Sequence, residues 1–162
     1  MTVIVPVNQN HNISMKLKIK KLTDTAIIPT KAHKTDLGYD LYADETVTIQ
    51  SPEVVKIKTG IAIGFPEGWG GFIKDRSSMA SKGFVVSGGV IDNAYIGEIS
   101  VLISYQNPNK SDKTCPSSKY IIHEGDKISQ LVLIPATDFP IEEVDDLGET
   151  DRGEKGFGSS GK

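Results

Sequence analysis

No stretch of this chain keeps a long helical apolar period; its apolar residues come in short, often β-branched runs that turn residues cut off. Lys16-Leu17-Lys18-Ile19-Lys20 alternates polar and apolar side chains, the period of a half-buried strand. Residues 46–49 and 54–65 are rich in β-branched types, which fit a pleated surface. Pro66-Glu67-Gly68 then makes a turn. Residues 83–86, 98–105, 120–122 and 128–134 continue the series, and 16 glycines and 8 prolines supply the punctuation. Many short strands at this spacing predict an all-β sandwich or barrel. One short helical turn is predicted over residues 77–81, with Asp75 or Ser77 as its cap.

A chain of 162 residues is read as one domain, long enough to bury a real core. Residues 1–14 form an N-terminal extension, residues 15–141 the β domain and residues 142–162 an arm. The polar stretch 107–119, with two prolines, is an insertion between strands. Eighteen basic against 21 acidic residues give a net charge of −3, which argues against a general nucleic-acid binder. Cys115 is the only cysteine, so no intrachain disulfide and no Cys-rich zinc site is expected. His11, His33 and His123 share no ligand spacing. No apolar run has the length of a membrane span, and residues 2–7 are too short for a signal-peptide core, so the expected compartment is the cytoplasm.

The arm ends in Arg152-Gly153-Glu154-Lys155-Gly156-Phe157-Gly158-Ser159-Ser160-Gly161-Lys162. This composition buries too little apolar surface to fold alone. Its parts nevertheless suit a nucleotide. Phe157 offers a flat face for a base, while Arg152 and the hydroxyls of Ser159 and Ser160 offer donors to phosphate oxygens. The expectation is a flexible lid that orders over its ligand.

Four further blocks carry candidate chemistry. In Asp36-Leu37-Gly38-Tyr39-Asp40-Leu41 a carboxylate leaves a loop to enter a strand. Asp75-Arg76-Ser77-Ser78 places an arginine beside two hydroxyls at the predicted helix start, a candidate phosphate clamp. Gly88-Gly89-Val90-Ile91-Asp92-Asn93-Ala94-Tyr95-Ile96-Gly97 looks like a β-hairpin with Asp92 near its tip as a candidate base and Tyr95 as a flat wall. Gly125-Asp126-Lys127-Ile128-Ser129-Gln130-Leu131 is a turn leading into an apolar strand, where the Gln130 amide needs a partner if buried. Each block also has a plain structural reading: a solvated carboxylate, a helix cap, an Asp-Asn turn, a strand amide.

Taken together and in this order, the five blocks resemble the five motifs of the homotrimeric dUTPases, the deoxyuridine triphosphate nucleotidohydrolases. The resemblance runs from Asp36 to Gly161 and leaves out residues 1–14 and much of 107–119. It implies a jelly-roll β-sandwich, a homotrimer with active sites at subunit boundaries, and cleavage of dUTP to dUMP and pyrophosphate with Mg2+ on the triphosphate. Such an activity keeps uracil out of DNA and supplies dUMP for dTMP synthesis. It further implies that Asp92 activates the attacking water, that Tyr95 lies against the deoxyribose, and that the backbone of Gly88, Gly89, Val90 and Ile91 reads the uracil edge. Arg76, Ser77, Ser78 and Gln130 match phosphate contacts, and Asp40 matches a carboxylate that holds metal-bound water. Arg152 matches the γ-phosphate contact, Phe157 the stacking aromatic, and Gly158, Ser159 and Ser160 the closing segment of the tail.

Two departures stand out. Asp75 occupies a position where many relatives carry proline, bringing a negative charge near the phosphates. Val86 sits where some bacterial relatives have a polar residue touching uracil. Among rivals, the related dCTP deaminases resemble Arg-Ser-Ser-x-x-Arg and place a catalytic glutamate ten residues after the hairpin aspartate; Ser81 and Leu102 stand at those positions here. The other alternative is a regulatory role in which the same fold binds a protein partner, with or without turnover; the loop 107–119 is the expected place for one.

Overall fold

The structure, a computed structural model, describes residues 15–106, 119–151, 153 and 154. Ten strands and one helical turn follow one another: β1 (Lys18–Lys21), β2 (Gly38–Tyr42), β3 (Val47–Gln50), β4 (Val54–Gly64), β5 (Trp69–Lys74), α1 (Ser77–Ala80), β6 (Phe84–Ser87), β7 (Val90–Ile91), β8 (Glu98–Tyr105), β9 (Lys119–Ile122) and β10 (Lys127–Pro135). They form two four-stranded sheets, ordered β1-β4-β8-β6 and β2-β10-β5-β7, and a two-stranded ribbon of β3 and β9. Every strand pairing is antiparallel. This is the jelly-roll-like, nearly all-β architecture expected.

Alternation along the strands explains how the two sheets close on one another. In β8, Ile99, Val101, Ile103 and Tyr105 are buried, while Leu102 between them is exposed. They share one core with Ile57, Ile61 and Ile63 of β4, Phe84 of β6 and, from the second sheet, Leu41, Ile73, Ile128 and Leu131. Each fully buried Ile or Leu side chain stabilises the fold by about 1.5–3 kcal/mol relative to exposure. Phe84, Tyr105 and Tyr120 pack as an aromatic trio, with ring centroids 4.8–5.8 Å apart. Ser129 breaks the apolar pattern: among the described residues, its hydroxyl is a buried polar side-chain atom with no hydrogen-bond partner.

Three expectations need correction. The strand β5 was not foreseen, because Trp69-Gly70-Gly71-Phe72 reads as a continuation of the turn. Its glycines answer to packing: a Cβ on Gly71 would come within 2.6 Å of Leu131 and 3.0 Å of Phe65. The block after Gly88 is not a self-paired hairpin. β7 pairs with β5 and β8 with β4 and β6, so its two arms lie in different sheets. Finally, neither Asp75 nor Ser77 caps α1; the N-cap is Arg76, without a side-chain cap bond.

Residues 136–151 run without regular structure, and Phe139, Ile141 and Leu147 on this arm are exposed. The extension 1–14, the loop 107–118 with Cys115, and the tail residues Arg152, Phe157, Gly158, Ser159 and Ser160 lie outside the described residues. No helix among the described residues is long and apolar enough to cross a membrane.

Candidate active site

Three charged side chains from distant parts of the sequence meet at one edge of the second sheet. Asp40 on β2 accepts a hydrogen bond from Arg76 Nε at 2.8 Å through Oδ1, and one from Lys127 Nζ at 2.7 Å through Oδ2. Arg76 Nη1 donates to Ser78 Oγ at 3.3 Å and to the Lys127 carbonyl at 3.1 Å. The guanidinium is therefore fixed through Nε and Nη1, and its Nη2 group has no partner among the described residues. The hydrogen bond to Asp40 raises the Lys127 pKa above its ordinary value of 10.5, so the ammonium is charged at neutral pH. Lys127 was read from sequence only as part of a turn; no local pattern announces an ion pair with Asp40.

Beside this trio opens a cleft of about 330 Å3 lined by Asp40, Arg76, Ser77, Ser78 and Gln130. The residues read as the phosphate clamp are thus together in space. Gln130 already has a protein partner: its Nε2 donates to the Asp75 carbonyl at 2.7 Å. That bond ties β10 to the chain just ahead of the clamp. Asp75 itself points elsewhere, its Oδ1 accepting the Val86 N–H at 2.6 Å. The negative charge that seemed misplaced beside the phosphates is turned onto β6.

A second cleft, of about 210 Å3, is lined by Val90, Ile91, Asp92, Tyr95, Lys56 and Glu98. Asp92 is exposed on a short turn closed by Tyr95 N–H donating to the Asp92 carbonyl at 3.1 Å. Asn93 holds that turn in place, its Nδ2 donating to the Pro66 carbonyl at 2.8 Å and the Trp69 carbonyl at 2.5 Å. The Tyr95 ring folds back over Gly97, where a Cβ would come within 2.6 Å of its hydroxyl. The hydroxyl donates to the Glu98 carbonyl at 3.0 Å. Asn93 and Gly97 lay inside the block singled out from sequence but received no role there. Gly88, at φ 60°, and Gly89 carry the chain from β6 in one sheet to β7 in the other.

The two clefts do not meet within one chain. Asp40 is level with Gln130 and Lys74 across β2, β10 and β5, whereas β7 joins β5 at Gly71 and Phe72. From β2 to β7 is three strand spacings, and from Lys74 to the level of Asp92 is four residues along the strand. At about 4.8 Å and 3.3 Å respectively, these give a separation of about 20 Å between Asp40 and Asp92. No group of three or more His, Cys, Asp or Glu side chains able to hold a metal occurs among the described residues.

Similarity to known proteins agrees with this layout. A sequence model of the dUTPase family matches residues 24–161. The deoxyuridine 5'-triphosphate nucleotidohydrolase of Clostridioides difficile is 40% identical over 148 residues, covering 90% of this chain and 97% of its own. That of Hydrogenobaculum sp. is 40% identical over 151 residues, covering 91% of this chain and 99% of its own. Among solved structures, a point mutant of the Staphylococcus bacteriophage 80alpha dUTPase with dUpNHpp superposes with a TM-score of 0.80 at 33% identity, covering 91% of this chain and 99% of that one. A point mutant of the phage phi11 dUTPase of S. aureus, described for its coordination of a structural Mg(II) ion, gives a TM-score of 0.72 at 30% identity over 82% of this chain and 98% of its own. With the family model spanning most of the sequence and close relatives matched nearly end to end, the chain belongs to the dUTPase family.

Proposed function

We propose that this protein hydrolyses dUTP to dUMP and pyrophosphate, with Asp92 as the base that orients and deprotonates the attacking water. A positioned base contributes about a hundredfold to ten-thousandfold. The remainder of the rate comes from holding the water in line with the α-phosphorus and neutralising phosphate charge. The observation that carries this reading is the gathering of the sequence blocks into two built clefts, one lined by Arg76 and the hydroxyls of Ser77 and Ser78, the other carrying Asp92 and Tyr95.

In this reading Arg76, Ser77 and Ser78 contact the triphosphate. Gln130, already bonded to the Asp75 carbonyl, buttresses the clamp as well as facing the ligand. The backbone of Gly88 through Ile91 meets the uracil edge, and Tyr95 meets the sugar face where a 2′-hydroxyl would clash. The tail supplies Arg152 to the γ-phosphate, Phe157 to the base, and Gly158, Ser159 and Ser160 to closure. The cleft fits a hydrated Mg2+ carried in on the substrate: it offers two carboxylates, Asp36 and Asp40, and two hydroxyls, hard oxygen donors suited to water-mediated contact and not to a closed protein cage. When bound, the ion neutralises phosphate charge.

The separation of about 20 Å between Asp92 and Asp40 supports a site shared between chains, and so a homotrimer whose boundaries hold the active sites. Phe72 and Val90, paired across β5 and β7, expose apolar surface on the outer face of the second sheet, as a subunit contact requires.

The test is direct. Purified protein with Mg2+ should release pyrophosphate from dUTP, with little from UTP, dCTP or dTTP. Equal turnover of dUTP and dTTP, or none of dUTP, would overturn the reading.

A further inference from the structure

Asp75 ties β10, beside the phosphate clamp, to β6, the strand that leads towards the second cleft. Asp75 follows β5 directly and precedes Arg76, so its backbone sets where the phosphate clamp begins. Its carbonyl accepts Gln130 Nε2 at 2.7 Å, and its carboxylate Oδ1 accepts the Val86 N–H at 2.6 Å. Val86 lies on β6, a strand of the opposite sheet, and two residues later the chain crosses over through Gly88 and Gly89 into β7. Just past the crossing, Gly89 is held against β5, its carbonyl accepting the Ile73 N–H at 2.7 Å. A Cβ on Gly89 would collide with the Ile73 carbonyl oxygen, so the approach is as close as backbone allows. Two bonds, Asp75 to Val86 and Ile73 to Gly89, therefore bracket the crossing between sheets. The carboxylate bond is the one that a proline at position 75 has no atom to make.

We propose that Asp75 is a positioning residue for base selection: its carboxylate fixes the Val86–Gly89 crossing against the start of the phosphate clamp, and so sets the register at which the backbone from Gly88 to Ile91 meets the base. This rests on the reading of the protein as a dUTP hydrolase. It gives the departure at Asp75 a function and explains how the added charge is tolerated, since the carboxylate is spent on a backbone donor away from the cleft. It also bears on Val86. With an apolar side chain at that position, recognition leans on backbone geometry, which has to be held by something else.

The experiment compares Asp75→Ala, Asp75→Asn and Asp75→Glu. Asparagine keeps an oxygen acceptor without the charge; glutamate keeps the charge but displaces the oxygen by one methylene. Asp75→Ala should lower the ratio of kcat/KM for dUTP over dTTP by about tenfold, the scale of one lost hydrogen bond to a charged group. Asp75→Asn should hold that ratio within about threefold of the unaltered protein, and Asp75→Glu should fall between them. Amide exchange at Val86 should quicken in Asp75→Ala relative to Val85 and be restored in Asp75→Asn. A wild-type ratio in Asp75→Ala, or an equal loss in Asp75→Asn, would overturn the proposal, because a general loss of stability depresses turnover of both nucleotides alike. The exchange measurement needs no activity: absence of dUTP turnover in the unaltered protein would sink the functional reading, whereas unchanged exchange at Val86 would sink this one. If Asp75→Ala does not fold, the order of Asp75→Asn over Asp75→Glu decides.

Discussion

An aspartate on a short turn is an ordinary surface carboxylate until something holds the turn still. Here Asn93 does so, through the main-chain carbonyls of Pro66, in the turn before β5, and of Trp69, the first residue of β5. Replacing Asp92 by Asn should leave dUTP binding within about threefold, as seen by titration calorimetry, while kcat falls by at least about a hundredfold in a pyrophosphate assay. If Asp92 is the base proposed above, Asn93→Ala should lower kcat too, though Asp92 is untouched, because the carboxylate loses its aim. Lys127 offers a test by pH. Its pKa is raised from 10.5 in the folded protein by the Asp40 hydrogen bond, so the stabilisation is fully present below the ordinary lysine value and is lost as pH climbs through the raised one. The melting temperatures of the unaltered protein and Lys127→Met should therefore differ by the same amount from about pH 6 to about pH 9, and converge only as pH climbs through the raised value above 10.5. Among individual residues, what the sequence disclosed was chemical type: Arg76 beside Ser77 and Ser78, Asp92 in a bend. Partners such as Lys127 for Asp40 and Val86 for Asp75 were hidden, because nothing local encodes a contact between residues so distant in the chain.

Among the elements, β8 was legible to the residue, since Glu98–Tyr105 alternates cleanly between core and surface. β5 was not. Two of its six residues are glycines placed there by close packing, and glycine weakens every local signal of a strand. The same strand shows why a β-rich block can be mistaken for a hairpin: Val90 and Ile91 had a partner already waiting in Phe72 and Gly71. Adding a methyl at Gly71 should destabilise the domain by about 1–3 kcal/mol in urea unfolding, through overpacking against Leu131 and Phe65. Ser129→Ala tests the opposite case. Its hydroxyl is buried with no bond to lose among the described residues, so the substitution should be neutral or stabilising by up to about 1 kcal/mol, where a serine with a partner would destabilise on truncation.

At the scale of the whole molecule, the two clefts lie about 20 Å apart, and sequence order could not reveal how far apart a fold would set them. If the two halves of each site come from different chains, two inactive proteins should rescue one another. Asp92→Asn and Arg76→Ala, unfolded together in equal amounts and refolded, should recover about a quarter of the unaltered activity, since one site in four would draw both intact halves. Refolded separately and then mixed without exchange, they should stay inactive. The distance between Asp92 and the Arg76 cleft carries a last consequence. If the site is shared as proposed, an isolated copy is inert, so activity per milligram should fall upon dilution once copies begin to part, and a saturating nucleotide that bridges the halves should hold them together.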